Sequence, residues 1–215
     1  SDHVFLVGTN NGIFEISSQY HQVVSVEDRL QGMENLFDIK KKDAQYRLTD
    51  VRLKYDKKSN ILWTGSKSRL IGIEQGKKQW KVDKHIFQVG DRITSLIKDN
   101  SGLWASTSQS GLVYLEKKPG NGYNMHKFDT ANGLPVNYSL WLAKYNDEVI
   151  VLTARGLYSY DSITNRFLPH KKFPKPYVNG DYQIRRFLQL SDGSSVVNFI
   201  DKEGSRVEQL TKKKD

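Results

Sequence analysis

The stretch from Ser95 to Lys117, SLIKDNSGLWASTSQSGLVYLEK, alternates short apolar runs with turn residues roughly every ten positions. This strand-turn-strand unit recurs as VFLVGTNNGIFEI (4–16), NILWTGSKSRLIGI (60–73), GLWASTSQSGLVYL (102–115) and EVIVLTARGLYSY (148–160), with a weaker copy in SSVVNFIDKEGSRVEQL (194–210). With Thr9, Ser66, Thr107 and Thr153 taken as equivalent, the copies lie 57, 41 and 46 residues apart. Self-similarity at this period marks stacked supersecondary units, and propeller blades fall in that range.

Each full copy carries two further runs. RLTDVRLKY (47–55), RITSLIKD (92–99), YSLWLAKY (138–145) and QIRRFLQL (183–190) precede the hairpin, and KQWKV (78–82), NMHKF (124–128) and RFLPH (166–170) follow it. Four short strands per unit, separated by turn signals and without a helical period, predict an all-β fold of four-stranded antiparallel propeller blades. Gly12, Gly111 and Gly156 are expected to supply the positive φ of the hairpin turns. The repeat units are approximately 1–46, 47–91, 92–137, 138–182 and 183–215, forming a single propeller segment. The sequence enters at the second strand of a blade and closes after the third strand of another, so the expectation is an arc of about five blades from a larger propeller. A small closed ring is the alternative. LQGMENLFDIKKKDAQ (30–45) has weak helical character and reads as an insertion or long loop.

Composition narrows the chemistry. A chain of 215 residues with 37% hydrophobic and 11% aromatic residues can bury a sizeable core. No apolar run approaches the ~20 residues of a membrane span, so the chain is expected to be soluble as it stands. It has no cysteine, which excludes disulfides and thiolate chemistry. The net charge of +9 favours polyanionic partners in principle. However, the lysine clusters at 40–42, 57–58, 77–78, 117–118, 171–172 and 212–214 mostly flank turns, where solvated charge is the ordinary case. Nucleic acid is therefore not the expected partner. The five histidines are scattered over different units, without metal-site spacing, and no metal or cofactor is expected. There is no nucleophile elbow, Walker loop or dinucleotide fingerprint. No pair of carboxylates stands out for glycoside hydrolysis among the 24 acids. Trp63 and Trp104 share a repeat position and are expected to pack in the core.

The segment FDTANGLPVNYSLWLAKYNDEVIVLTARGLYSYDSITNRF (128–167) resembles the two-component-regulator propeller repeat. Gly133, Leu134, Pro135 and Asn137 match its opening, Thr153, Gly156, Leu157, Tyr158, Tyr160 and Asp161 its middle, and Phe167 its close. The unit at 92–115 matches through Asp99, Gly102, Trp104, Thr107, Gly111 and Leu112. The likeness covers about residues 47–170. Val149–Ile150 stands at the Trp position of the fourth unit, and Arg69 replaces the Gly of the second. Asp99-Asn-Ser-Gly102-Leu-Trp104 also resembles the Asp-box turn of sialidase propellers, in which the Asp forms the turn.

The resemblance implies a setting. Such repeats form the extracytoplasmic sensing region of membrane-bound histidine kinases, hybrid two-component proteins and related cyclases, often linked to glycan sensing, and carry no catalytic residues there. The expected protein is then a non-enzymatic, periplasmic ligand-sensing segment. Its partners would be the remaining blades and a membrane-anchored signalling module, with a homodimer left open. Blade-face loops and first-strand starts offer Arg47, Arg92, Asn137, Tyr138, Trp141, Tyr177, Arg185 and Arg186 as ligand-binding candidates. Aromatic faces suit sugar rings and arginines grip carboxylate or sulfate, so the expected ligand is an oligosaccharide, acidic if the charge matters. Two other readings stand beside it: a scaffold propeller binding protein partners, and a propeller enzyme acting on polysaccharide.

Overall fold

The computed structural model describes residues 4–9, 12–17, 22–25, 52–65, 68–75, 80–120 and 122–211, which are predominantly antiparallel β-structure. The 30–45 insertion lies outside them. Among the described residues the helical segments are two three-residue 3-10 turns, Thr130–Asn132 and Lys175–Tyr177. The chain divides into two compact units, Ser1–Ile93 and Thr94–Asp215.

Among the described residues the first unit holds two sheets. One is the three-stranded meander β1 (Val4–Thr9), β2 (Gly12–Ser17) and β3 (Gln22–Ser25). The other is the four-stranded meander β4 (Arg52–Asp56), β5 (Ile61–Gly65), β6 (Arg69–Gln75) and β7 (Trp80–Gln88). β5, ILWTG, is buried at every position, as an uninterrupted apolar run requires. Trp63 on it packs near the rings of His85 and Phe87.

Three sheets follow, in the order β8 (Ile93–Lys98) to β11 (Tyr123–Phe128), β12 (Trp141–Tyr145) to β15 (Arg166–Pro169), and β16 (Gln183–Gln189) to β18 (Gly204–Leu210). β9 is Gly102–Thr107, β10 Leu112–Lys117, β13 Glu148–Thr153, β14 Gly156–Asp161 and β17 Ser195–Asp201. Among the described residues every sheet is a sequential antiparallel meander, the topology of a propeller blade; three have four strands and two have three.

Local chemistry explains the hairpins. The Thr107 hydroxyl donates to the Gly111 carbonyl (2.9 Å) and accepts the Ser110 N–H (2.9 Å). Thr153 repeats the device, donating to the Gly156 carbonyl and accepting the Arg155 N–H, each at 2.9 Å. Gly111 and Gly156 have φ of 82° and 111°, as the turns were expected to require. Of Gly12 the structure describes only its place at the start of β2. Between β8 and β9, Asp99 forms the turn: Oδ1 accepts the N–H groups of Ser101 and Gly102, and Oδ2 accepts the indole N–H of Trp104 at 2.8 Å.

Two apolar layers unite the sheets of the second unit. Trp104, Leu112, Phe128, Leu140, Val151 and Phe167 form one, between the β8–β11 and β12–β15 sheets. Ile150, Leu152, Phe173, Tyr177, Val197 and Phe199 belong to the other, between the β12–β15 and β16–β18 sheets. Polar ties supplement them. Gly111 N–H donates to the Asn137 carbonyl (2.9 Å), and Leu142 N–H donates to the Ser95 hydroxyl (3.1 Å).

The sequence places the first strand of the fourth unit at 138–145, but β12 starts at Trp141. Ser139, at φ 54°, takes a left-handed conformation that interrupts extended backbone. Strand alternation therefore does not relate Tyr138 to Trp141.

The loop after β15 makes two stability predictions. Lys171 and Lys172 are exposed, and the hydrogen bond from Lys172 to His170 Nδ1 uses its backbone N–H. Replacing both with alanine is expected to change stability by no more than about 0.5 kcal/mol in chemical denaturation. His170 behaves differently. It is buried, with its Nε2 3.5 Å from a Glu148 carboxylate oxygen, too long for a good hydrogen bond. Burial holds its pKa below the ordinary 6.5, against the upward pull of Glu148. Its neutral form thus contributes stability that is fully present above about pH 6.5 and lost as pH falls from there through the lowered folded value. The melting temperature is expected to fall between pH 7.5 and 5 more steeply than in His170→Asn, which keeps an acceptor for Lys172 N–H but cannot titrate. Equal slopes would contradict this.

Candidate functional site

The three first strands of the second unit, β8, β12 and β16, border a cleft of about 490 Å³. Its apolar wall includes Ile97 from β8, Leu142 from β12, and Phe187 and Leu188 from β16. These strands are positioned by their sheets. The Ser95 hydroxyl holds β12 to β8, and Ile184 and Ala143 sit in the core beneath β16 and β12.

Just before the cleft residues, Trp141 on β12 meets Arg186 on β16. The guanidinium carbon lies 4.5 Å from the indole centroid, a cation–π contact. A backbone irregularity produces this pairing. Ile184 pairs with Phe199 and Arg186 with Asn198, leaving Arg185 as an extra residue in the β16 ladder. Simple alternation would put Arg185 and Arg186 on opposite faces, and the bulge breaks that alternation. Arg186 is exposed, its Nη1 donating to the Arg185 carbonyl (2.9 Å), while Arg185 is half-buried. At the other end of the cleft, Gln189 accepts the Asn146 N–H (2.8 Å) and donates to Asn146 Oδ1 (2.7 Å). This reciprocal pair ties the end of β16 to the turn after β12.

The remaining candidates scatter. Tyr138, 56% exposed, lies in the bend before β12. Asn137 beside it is half-buried, with its side-chain Oδ1 buried and without a hydrogen-bond partner. Tyr177 is only 3% exposed, packed edge-on against Tyr182 and Phe199. Its hydroxyl donates to Glu208 Oε2 at 2.5 Å, and burial, reinforced by Glu208, pushes its pKa well up. That environment makes it a core residue with no face for a solute. Arg92 is exposed, in the first unit, and Arg47 lies outside the described residues. The structure therefore brings together Trp141 and Arg186, with Arg185 the bulge residue beside Arg186 and Asn137 and Tyr138 on the segment leading into β12.

Sequence reasoning missed the cleft wall and Lys144. The only signal was the apolar content of the first-strand runs, LWLAK and RRFLQL, which equally suits core packing. Among the described residues no group of histidine, cysteine or carboxylates could hold a metal ion.

No protein-family model matches the sequence, and no curated protein is significantly similar to it. Solved structures do resemble it. The extracellular domain of the putative hybrid two component system BT4673 from B. thetaiotaomicron matches with TM-score 0.59 and 16% identity, over 97% of this chain and 29% of that one. A second structure of the BT4673 extracellular domain, there named a putative one component system, matches with TM-score 0.61 and 15% identity, over 97% of this chain and 26% of the other. The likeness is one of fold. The chain spans under a third of either BT4673 domain. A putative 6-phosphogluconolactonase from Bacteroides fragilis also matches, with TM-score 0.56 and 10% identity, over 98% of this chain and 67% of that one. The same architecture thus occurs in a domain named for signalling and in a protein named as an enzyme. Function has to be argued from the site.

Proposed function

We propose that this chain is part of the extracytoplasmic ligand-sensing region of a two-component-type signalling receptor, an arc of blades within a larger propeller. It would lie in the periplasm and connect to a membrane-anchored output module. The observation that carries the reading is the Trp141–Arg186 pair on adjacent first strands beside a cleft, in a fold shared with the BT4673 extracellular domain. The ligand we propose is an oligosaccharide, acidic in character. Arg186, already exposed and braced on an indole face, can present paired N–H donors to a carboxylate or sulfate, and the exposed ring of Tyr138 can cover a sugar face. No described helix is long and apolar enough to cross a membrane.

Calorimetry of the complete sensor region against neutral and acidic oligosaccharides, at low and moderate salt, tests the reading. Acidic ligands are expected to bind more tightly, with affinity falling as salt rises. Arg186→Gln is expected to weaken an acidic ligand by about fivefold or more, the worth of one charge-assisted contact. Binding confined to neutral sugars and indifferent to salt would remove the electrostatic part. Absence of binding by the complete region would overturn the oligosaccharide assignment. The lactonase-named neighbour motivates a second assay, for hydrolysis of acidic glycans and sugar lactones. Turnover there would replace sensing with catalysis.

A further inference from the structure

The cleft beside the Trp141–Arg186 pair has a chemistry of its own. Leu142, Phe187, Leu188, Leu190 and Ile97 give it an apolar wall. Its polar side chains are Lys144, Gln189 and Ser191. The Gln189 amide is engaged at both its oxygen and its nitrogen by Asn146, which leaves the Lys144 ammonium and the Ser191 hydroxyl to meet a ligand. Lys144 is exposed, and no carboxylate among the described residues pairs with it.

That chemistry suits an amphiphilic molecule. Leu188 is 60% exposed, a large apolar side chain left in water at the mouth of a concave surface. A cleft of about 490 Å³ falls within the range used by small-molecule sites, where an apolar lining supplies affinity and a few polar groups fix orientation. Here the single cation fixes the sign of the head group. We propose that the cleft binds a small amphiphilic monocarboxylate, its hydrocarbon body against Phe187, Leu188 and Leu142 and its carboxylate at Lys144. The site is separate from the Arg186–Trp141 pair. It does not depend on the signalling reading, and either can fail alone.

Three probes and three variants of the 215-residue chain test it by calorimetry. Octanoate carries both features, octanamide keeps the hydrocarbon without the charge, and glucuronate keeps the carboxylate without the hydrocarbon. Octanoate is expected to bind, with octanamide and glucuronate weaker by about fivefold or more. Lys144→Ala is expected to weaken octanoate by up to about fivefold and leave octanamide unchanged, as one exposed ion pair allows. Lys144→Arg is expected to restore octanoate. Leu188→Asp, at an exposed position where folding is preserved and checked by an unchanged melt, is expected to abolish octanoate binding. No heat with millimolar octanoate, octanamide binding as tightly as octanoate, or glucuronate binding more tightly than octanoate would each overturn the proposal. So would full octanoate affinity in both Lys144→Ala and Leu188→Asp.

Discussion

Trp104→Ala is expected to destabilise the second unit by about 3–5 kcal/mol, the cost of deleting a large buried aromatic and leaving a cavity. Trp104 is 5% exposed at the centre of the layer that joins two sheets. Its indole stacks on Tyr114 at 4.3 Å, tilts against Phe128 at 5.5 Å, and meets Tyr160 and Phe167 of the next sheet edge-on at 5.6 and 6.0 Å. Aromatic contacts of this kind add to plain area burial. The substitution also takes the indole donor from Asp99 Oδ2, while the Asp99 bonds to Ser101 and Gly102 survive. Trp104→Phe is therefore expected to cost less than Trp104→Ala, because it keeps a ring in the layer and loses chiefly the indole bond. Urea denaturation followed by far-ultraviolet circular dichroism measures both. A Trp104→Ala loss below about 1 kcal/mol would show that the layer collapses around the gap and that Trp104 does not hold the sheets together.

Gly111→Val is expected to cost about 2–6 kcal/mol, the sum of backbone strain and overpacking. At φ 82° Gly111 sits in the left-handed region, where a β-branched residue is strained. A Cβ there would also stand 2.1 Å from the Phe128 carbonyl oxygen, a backbone atom of the neighbouring strand that cannot swing aside. Gly120 is the internal control. It has nearly the same φ, 83°, but nothing within 4 Å of an added Cβ, and is exposed. Gly120→Val is expected to show the strain without the clash, about 1–3 kcal/mol. If the two variants melted together, the close approach at Gly111 would be of no consequence.

These two residues were readable because the repeat exposes them. Trp63 and Trp104 share one repeat position, and Gly12, Gly111 and Gly156 another, a pattern that packing and turn geometry explain without reference to the rest of the chain. The Thr–Gly hairpins and the Asp99 turn are local for the same reason: the groups that bond lie within five residues of each other. Tyr177 went the other way. In FPKPY it reads as an exposed loop aromatic, yet Phe199 and Glu208, on strands well downstream, enclose it. Its burial is set by contacts that no local window contains.

The binding surface divides along the same line. The all-β class, the meander order and the buried second strands follow from hydrophobic period and turn chemistry, which act over a few residues and survive in a one-dimensional string. The Arg186–Trp141 contact and the cleft beneath Leu188 come from strands of different sheets meeting side by side, and the bulge at Arg185 from the pairing of β16 with β17. Only packing decides which of two neighbouring arginines faces an indole, and whether an apolar first strand lies against core or borders open space. Those choices depend on contacts between residues distant in the sequence, and so the folded structure alone could make them.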